Sequence, residues 1–187
     1  MNTPWIVVII AAILVILIIS LYNRLVRYRN NRENAFADID VQLKQRHDLI
    51  PQLVEAVKGY AKHESETFMR ITQARTAAMG AQTIGQKIDA ENQLTAALSG
   101  LKIQLEAYPE LKANANFLQL QEEMSDVENK LAAVRRYFNS ATKEYNNAVE
   151  TFPANIIAGM FGFKREQMFD VGAQERRILE EPPKVSF

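Results

Sequence analysis

A continuous apolar run near the amino terminus constrains the fold more than any other feature of the sequence. From Trp5 to Leu21 the chain reads WIVVIIAAILVILIISL, with Ser20 as the only polar residue. At about 1.5 Å per residue, such a helix covers most of the roughly 30 Å hydrocarbon core of a bilayer. We therefore predict a short extracytoplasmic terminus (1–4) and a transmembrane helix (5–22), anchored by Trp5, Ile6, Val7, Leu14, Ile18, Leu21 and Tyr22.

The sequence around this run favours an uncleaved anchor over a signal peptide. No basic residue precedes the run, and no A-x-A cleavage pattern follows it. Four arginines follow within a dozen residues, opposed only by Glu33, and positive flanks stay in the cytoplasm. We expect a single-pass protein of the inner membrane with its amino terminus outside and the bulk of the chain in the cytoplasm. We also expect anionic lipid headgroups to be attracted by the positive flank of Arg24, Arg27, Arg29 and Arg32.

Composition excludes several classes of function. The chain has no cysteine, which removes disulfides, thiolate nucleophiles and cysteine-based metal sites. Its 22 basic and 22 acidic residues all follow residue 23 and give no net charge, so we expect no nucleic-acid partner. The phosphate-binding and nucleophile-elbow motifs are missing. We expect no enzyme, no cofactor and no metal site.

The two histidines do not alter this expectation. His47 and His63 are sixteen positions apart, too far to share one helix turn. The HESE string that begins at His63 lacks the i, i+4 spacing of a zinc motif. His47 lies between Arg46 and Asp48, which favours a place on a helix surface.

A three-four hydrophobic repeat predicts the cytoplasmic fold. We expect a long helix that starts at Pro109 and ends at Pro153. Within it, apolar or small residues recur at steps of three and four: Phe117, Leu120, Met124, Val127, Leu131, Val134, Phe138, Ala141, Tyr145, Ala148 and Phe152. We see no strand pattern outside the span. The sequence predicts an all-α, elongated antiparallel bundle over 23–171, with three long helical segments, a short carboxy-terminal one and a coiled-coil-like seam.

The partner helix follows the same spacing upstream and continues from the membrane span. Its stripe runs from Phe36 to Tyr60, with Arg46 alone as a charged seam position. Pro51 predicts a kink or hinge rather than an end, because the stripe keeps its phase across it. The sequence leaves open whether residues 52–79 form one helix or two. The glycines of GAQTIG (80–85) predict a turn, and a third helix is expected from about Lys87 to Ala107.

The carboxy-terminal region carries a dense apolar segment, FPANIIAGMFGF (152–163). One hypothesis is a short helix that folds back to close the bundle. The other is an element that contacts the membrane or another subunit. The candidate interface residues are Phe152, Ile156, Ile157, Met160, Phe161 and Phe163. Residues 172–187 are expected to form a flexible tail.

Several strings together resemble the LemA family of bacterial membrane proteins. They include YNRLVRYRN (22–30), IDVQLKQRHDLIPQLVEAVKGYAKHE (39–64), YPELKANANF (108–117), RRYFN (135–139) and YNNAVETFP (145–153). The resemblance implies a single-pass, amino-out protein with a long antiparallel helical domain and no established enzymatic activity. Similar proteins are often encoded near membrane proteases or other membrane-associated proteins, and a related branch belongs to magnetosome membranes.

These observations favour a membrane-anchored helical scaffold that self-associates as a homo-oligomer and organises or shapes the bilayer. The runner-up is an adaptor or transducer that presents a helical surface to a membrane protease or signalling protein, with Pro51 as its hinge. The expected partners are thus the lipid bilayer, copies of the same chain and a possible membrane protein.

Overall fold

The computed structural model is all-α, as predicted. It describes residues 3–61, 64–104 and 108–169, and these stretches contain no strand. The helices are α1 (Thr3–Lys58), α2 (Ser65–Gly80), α3 (Ile84–Gln104), α4 (Pro109–Lys112), α5 (Ala115–Glu150) and α6 (Ala154–Phe161). The predicted tail, 172–187, lies outside the described residues.

Helix α1 continues from the apolar run into the charged sequence without a break. It has 56 residues, and it passes through Pro51 before it ends at Lys58. Proline has no N–H to donate to the carbonyl four residues earlier, which belongs to His47. That carbonyl instead accepts a hydrogen bond from Nε of Arg75 in α2, at 2.8 Å. The prediction that the helix continues past Pro51 is confirmed.

Residues 52–79 belong to two helices, since α1 ends at Lys58 and α2 begins at Ser65. The predicted turn segment 80–85 contains a break between helices at 81–83, but both of its glycines are helical, and α3 begins at Ile84 rather than near Lys87. A reciprocal capping box explains this earlier start. The Gln86 N–H donates to Oγ1 of Thr83, and the Thr83 N–H donates to Oε1 of Gln86, both at 3.2 Å.

The long helix does not begin at Pro109, contrary to the prediction. Pro109 opens only the four-residue α4, and the 36-residue α5 begins at Ala115. Asn114 caps α5, because its Oδ1 accepts a hydrogen bond from the Phe117 N–H at 3.1 Å. The predicted end near Pro153 is confirmed, since α5 stops at Glu150.

The chain divides into two compact units. The first comprises Met1–Ile39 and Ala133–Met168, and the second comprises Asp40–Ala132 and Phe169–Phe187. In the first unit, α1, α5 and α6 share a core around Leu25, Tyr145 and Ile157. In the second, α1 to α5 share a core of buried residues that includes Val57, Ile71, Leu94, Leu111 and Phe117.

The predicted hydrophobic stripe is buried or partly buried along α5, but its last predicted member, Phe152, lies beyond the end of α5 and is exposed. In the first unit, Phe138 is fully buried and its ring centroid lies 5.3 Å from that of Phe36 in α1. In the second unit, Leu131 is fully buried as well. The three-four repeat therefore identified the face of α5 that packs against other helices.

Candidate functional site

The apolar part of α1 is exposed from Pro4 to Ser20, whereas Leu21 and Tyr22 at its end are partly buried against the core of the first unit. The most apolar stretch of 18 residues in this helix has a mean hydropathy of 3.1, and none of its residues is buried. Trp5 is 66% exposed and Leu14 is 52% exposed. A core helix of similar composition would be covered by other elements. This helix is long and apolar enough to cross a membrane.

The arginines that follow the span divide into two kinds. Arg24, Arg27 and Arg29 are exposed. The guanidinium carbon of Arg24 lies 5.5 Å from the Tyr28 ring centroid, and that of Arg29 lies 5.3 Å from the Phe163 ring centroid. All three residues are exposed, so the predicted headgroup attraction can act on them.

Arg32 is buried instead, and its environment is part of the fold. Its Nη2 lies 3.2 Å from a Glu166 carboxylate oxygen and donates to the Gln167 carbonyl, also at 3.2 Å. Its guanidinium carbon lies 5.0 Å from the Phe138 ring centroid. Burial lowers the pKa of Arg32, and the nearby Glu166 carboxylate opposes that shift. The expected headgroup attraction does not extend to this buried residue.

Helix α6 folds back onto the part of α1 that follows the span. Gly162 has the left-handed φ of 75°, and the Phe163 N–H returns to the Ala158 carbonyl at 2.9 Å. Ile157 and Phe163 are buried in the core of the first unit, so these two candidate interface residues face protein. The segment thus forms a short helix that packs against α1 and α5, which agrees with the first of the two hypotheses.

The other four candidate interface residues remain exposed. Phe152 is 75% exposed, Ile156 53%, Met160 73% and Phe161 55%. We call these four residues the α6 outer patch. The segment therefore has both features that the sequence left open, a buried side and an exposed apolar side.

The segment after α6 is fixed by Asn146 of α5. Its Nδ2 donates to the Glu166 carbonyl at 2.9 Å, and its Oδ1 accepts from the Glu166 N–H at 2.8 Å. Arg165 adds an exposed ion pair with Glu150 at 3.0 Å. Tyr145, next to Asn146, is buried, and burial raises the pKa of its phenol. These contacts hold the chain beyond α6 against α5.

The second unit contains a buried charged network that sequence reasoning missed. Arg46 and Glu91 are each only 1% exposed, and their Nη1 and Oε2 atoms lie 3.0 Å apart. The Nη2 of Arg46 lies 2.9 Å from Glu128 and donates to the Thr95 hydroxyl at 3.0 Å. The network links α1, α3 and α5 within this unit. Arg46 at a seam position was its only signal in the sequence.

His47 belongs to the same network, so its predicted place on a helix surface is wrong. It is 8% exposed, and its Nε2 lies 2.5 Å from Oε1 of Glu91. Both oxygens of Glu91 are thus hydrogen-bonded to protein groups, Oε2 to Arg46 and Oε1 to His47. The arrangement is that of a structural network rather than an open reactive site.

No group of three or more ligand-type side chains is placed to hold a metal within the described residues. His63 lies outside them.

Over the described residues, these features define an all-helical protein whose first helix has an exposed apolar part long enough to cross a membrane. The chain belongs to the LemA family, whose family model matches residues 35–187. It is 28% identical to Protein LemA of Metamycoplasma hominis over 82% of this chain and 71% of that protein. Family membership and the apolar helix fit a membrane-associated helical protein.

The magnetosome protein MamQ is a more distant relative. The chain is 22% identical to MamQ of Magnetospirillum gryphiswaldense over 79% of this chain and 64% of MamQ. Magnetosome protein MamQ 1 of Paramagnetospirillum magneticum matches to the same extent. The chain thus spans less than two thirds of the length of these MamQ proteins.

Proposed function

We propose that this protein is a single-pass, membrane-anchored helical scaffold without enzymatic activity, which associates with copies of itself and organises the bilayer. The observation that carries the proposal is the unburied apolar stretch of α1, which continues as helix to Lys58. A helix that leaves the bilayer without a break couples the anchor to the folded chain that follows it. Family membership supports the membrane-associated part of the proposal.

The proposed orientation places the amino terminus outside and the chain that follows the span in the cytoplasm. Arg24, Arg27 and Arg29 support it, because these exposed cations immediately follow the span. The chain has no cysteine, so a single introduced one reports its own side of the membrane. We expect Asn2→Cys, but not Met79→Cys, to react with an impermeant maleimide on intact cells. The opposite pattern would refute the orientation.

The absence of enzymatic activity is proposed from the state of the polar groups. The buried cluster of Arg46, His47 and Glu91 directs its hydrogen bonds at other protein groups. A catalytic site instead needs titratable groups within reach of a substrate. The network therefore supports a structural role for these residues.

Self-association is proposed to occur through the span. The stripe of α5 is buried within the chain, whereas the sides of the span are exposed. In lipid, such helices associate by side-chain packing. We expect Leu14→Cys to form disulfide-linked dimers in native membranes and Met79→Cys to form far fewer. A strictly monomeric particle in cross-linking and in mass photometry would remove this part of the proposal.

A cleft in the second unit favours the adaptor as the second candidate. It has a volume of about 390 Å³ and is lined mainly by apolar surface, including Val54, Phe68 and Met69. Met69 is 58% exposed there. If a membrane-protein partner binds at this cleft, its cross-link to the protein in native membranes should be lost in the Met69→Glu variant and retained in the Met79→Glu variant. Equal recovery with both variants would exclude the cleft as a partner site.

A further inference from the structure

The α6 outer patch combines one side of helix α6 with the residue that precedes the helix start. Ile156 and Met160 lie four residues apart on the same side of α6, and Phe152 lies before Pro153, ahead of the helix start at Ala154. Phe161 adjoins them, and all four are more than half exposed. Ile157 and Ala158 point to the core, so packing has fixed which side of α6 is left outside.

The position of this patch relative to the span indicates what covers it. The ring centroid of Phe161 lies 4.8 Å from that of Tyr22, the residue that ends the predicted transmembrane helix. Tyr22 also contacts the Phe163 ring, at 5.8 Å. Since Tyr22 belongs at the boundary between hydrocarbon and headgroups, Phe161 lies at the same depth. The patch is thus continuous with the surface that enters the membrane.

The surrounding charges and space fit a lipid surface as well. Exposed Arg24 and Arg27 follow Tyr22, and exposed Lys164 follows α6, next to the ion pair of Arg165 with Glu150. Basic residues beside an apolar face are typical of helices that lie in the headgroup region of anionic membranes. A cleft of about 250 Å³, lined by Leu21, Arg24 and Phe152 among others, adjoins the patch.

The size of the patch argues against a second copy as its occupant. Four side chains of about 200 Å² each, exposed by roughly half to three quarters, offer about 500 Å². A standard protein interface needs about 800 Å² from each partner. A bilayer has no such minimum, because insertion scales with the apolar area that leaves water.

We propose that the α6 outer patch inserts into the boundary between headgroups and acyl chains of the bilayer that holds the span. Helix α6 is then a second attachment to the membrane, at the headgroup boundary on the side where the span ends at Tyr22. The proposal rests on the membrane anchoring proposed above. With two attachments, the first unit has a fixed inclination to the membrane, which a single helix alone does not set.

Depth-dependent fluorescence quenching on the full chain tests this inference. Met160→Cys carries an environment-sensitive fluorophore in nanodiscs of anionic lipid that hold one chain each, with a nitroxide quencher on the upper acyl chain. We expect emission to fall by about half or more, since interfacial helices lie roughly 5–10 Å into the boundary region. Met79→Cys, which is 57% exposed on α2 in the second unit, is the matched control and should remain unquenched.

A label at Leu14→Cys in the span separates failure of this inference from failure of the anchor. Quenching at Leu14 with water-like emission at Met160 would overturn the inference and leave the anchor intact. Loss of quenching at both sites would overturn the anchor as well. If Met160 becomes shielded only when two chains share a disc, and without lipid quenching, the patch binds a second copy and the inference is wrong.

Discussion

Glu91→Ala is expected to destabilise the chain by about 3–5 kcal/mol. The substitution removes the hydrogen-bond partner of Nη1 of Arg46, at 3.0 Å, and of Nε2 of His47, at 2.5 Å. A hydrogen bond to a charged group contributes about 1.5–3 kcal/mol, and two such bonds are lost. The sum agrees with the cost of about 3–5 kcal/mol for removing one partner of a buried ion pair. Arg46 keeps its contact with Glu128, whose side chain is 40% exposed.

Guanidinium unfolding of the full chain in detergent, followed by far-UV circular dichroism, measures this loss. With a denaturant slope of about 4 kcal/mol/M, the midpoint should fall by roughly 1 M. Asp89→Ala is the matched control, because it removes an exposed carboxylate two positions away on α3. Its effect should stay within about 0.5 kcal/mol. Equal midpoints for Glu91→Ala and Asp89→Ala would refute the argument.

A double variant separates loss of the pair from loss of space. Arg46→Met with Glu91→Leu removes both charges and keeps apolar volume in their place. Such replacements are often neutral, so at least half of the lost stability should return. If the double variant is as unstable as the sum of both single variants, the cost arises from packing rather than from an unpaired charge.

Three further predictions use the same unfolding measurement. Arg75→Ala should cost about 1–2 kcal/mol by removing the donor to the His47 carbonyl, and less in a Pro51→Ala background, where residue 51 regains an N–H; equal costs would contradict this pairing. Thr83→Ala should cost about 1 kcal/mol through loss of the cap on α3, and no change would contradict that role. Burial raises the pKa of Tyr145, so the stability linked to its neutral phenol is complete below about pH 10 and is lost as pH rises through the folded pKa. The unfolding free energy should therefore fall more steeply above pH 10 in the parent chain than in Tyr145→Phe, and parallel curves would refute the linkage.

Periodicity predicted most of the helical fold because it reports burial directly. The stripe of α5 and the apolar run of α1 both repeat over many turns, so single errors do not change the conclusion. Helix starts were predicted less well, since they depend on one or two side-chain hydrogen bonds. Asn114 and the pair of Thr83 and Gln86 carry cap signals, but Pro109 and Lys87 gave competing starts.

The buried network was harder to predict because its partners are distant in sequence. Arg46 and Glu91 are separated by 45 positions, and neither residue alone indicates the other. His47 was predicted to lie on the surface of α1 because it is next to the stripe and not part of it. A helix that packs against a single neighbour buries only such a narrow stripe. In the second unit α1 contacts α2 through Arg75, α3 through Glu91 and α5 through Glu128. A helix with three neighbours buries a wider face, so adjacent positions such as 46 and 47 are both covered.

The network also solves a problem that a regular hydrophobic stripe creates. After a shift of seven residues, a stripe with three-four spacing again places apolar residues against the neighbouring helices. Apolar packing alone therefore distinguishes the registers only weakly. Any such shift would remove Glu91 from Arg46 and leave a guanidinium that is 1% exposed without its buried carboxylate. The penalty for breaking this buried ion pair then falls on the wrong registers and not on the native one. Arg46 is thus an exception to the apolar stripe of α1 that makes a single alignment of α1, α3 and α5 the most stable one.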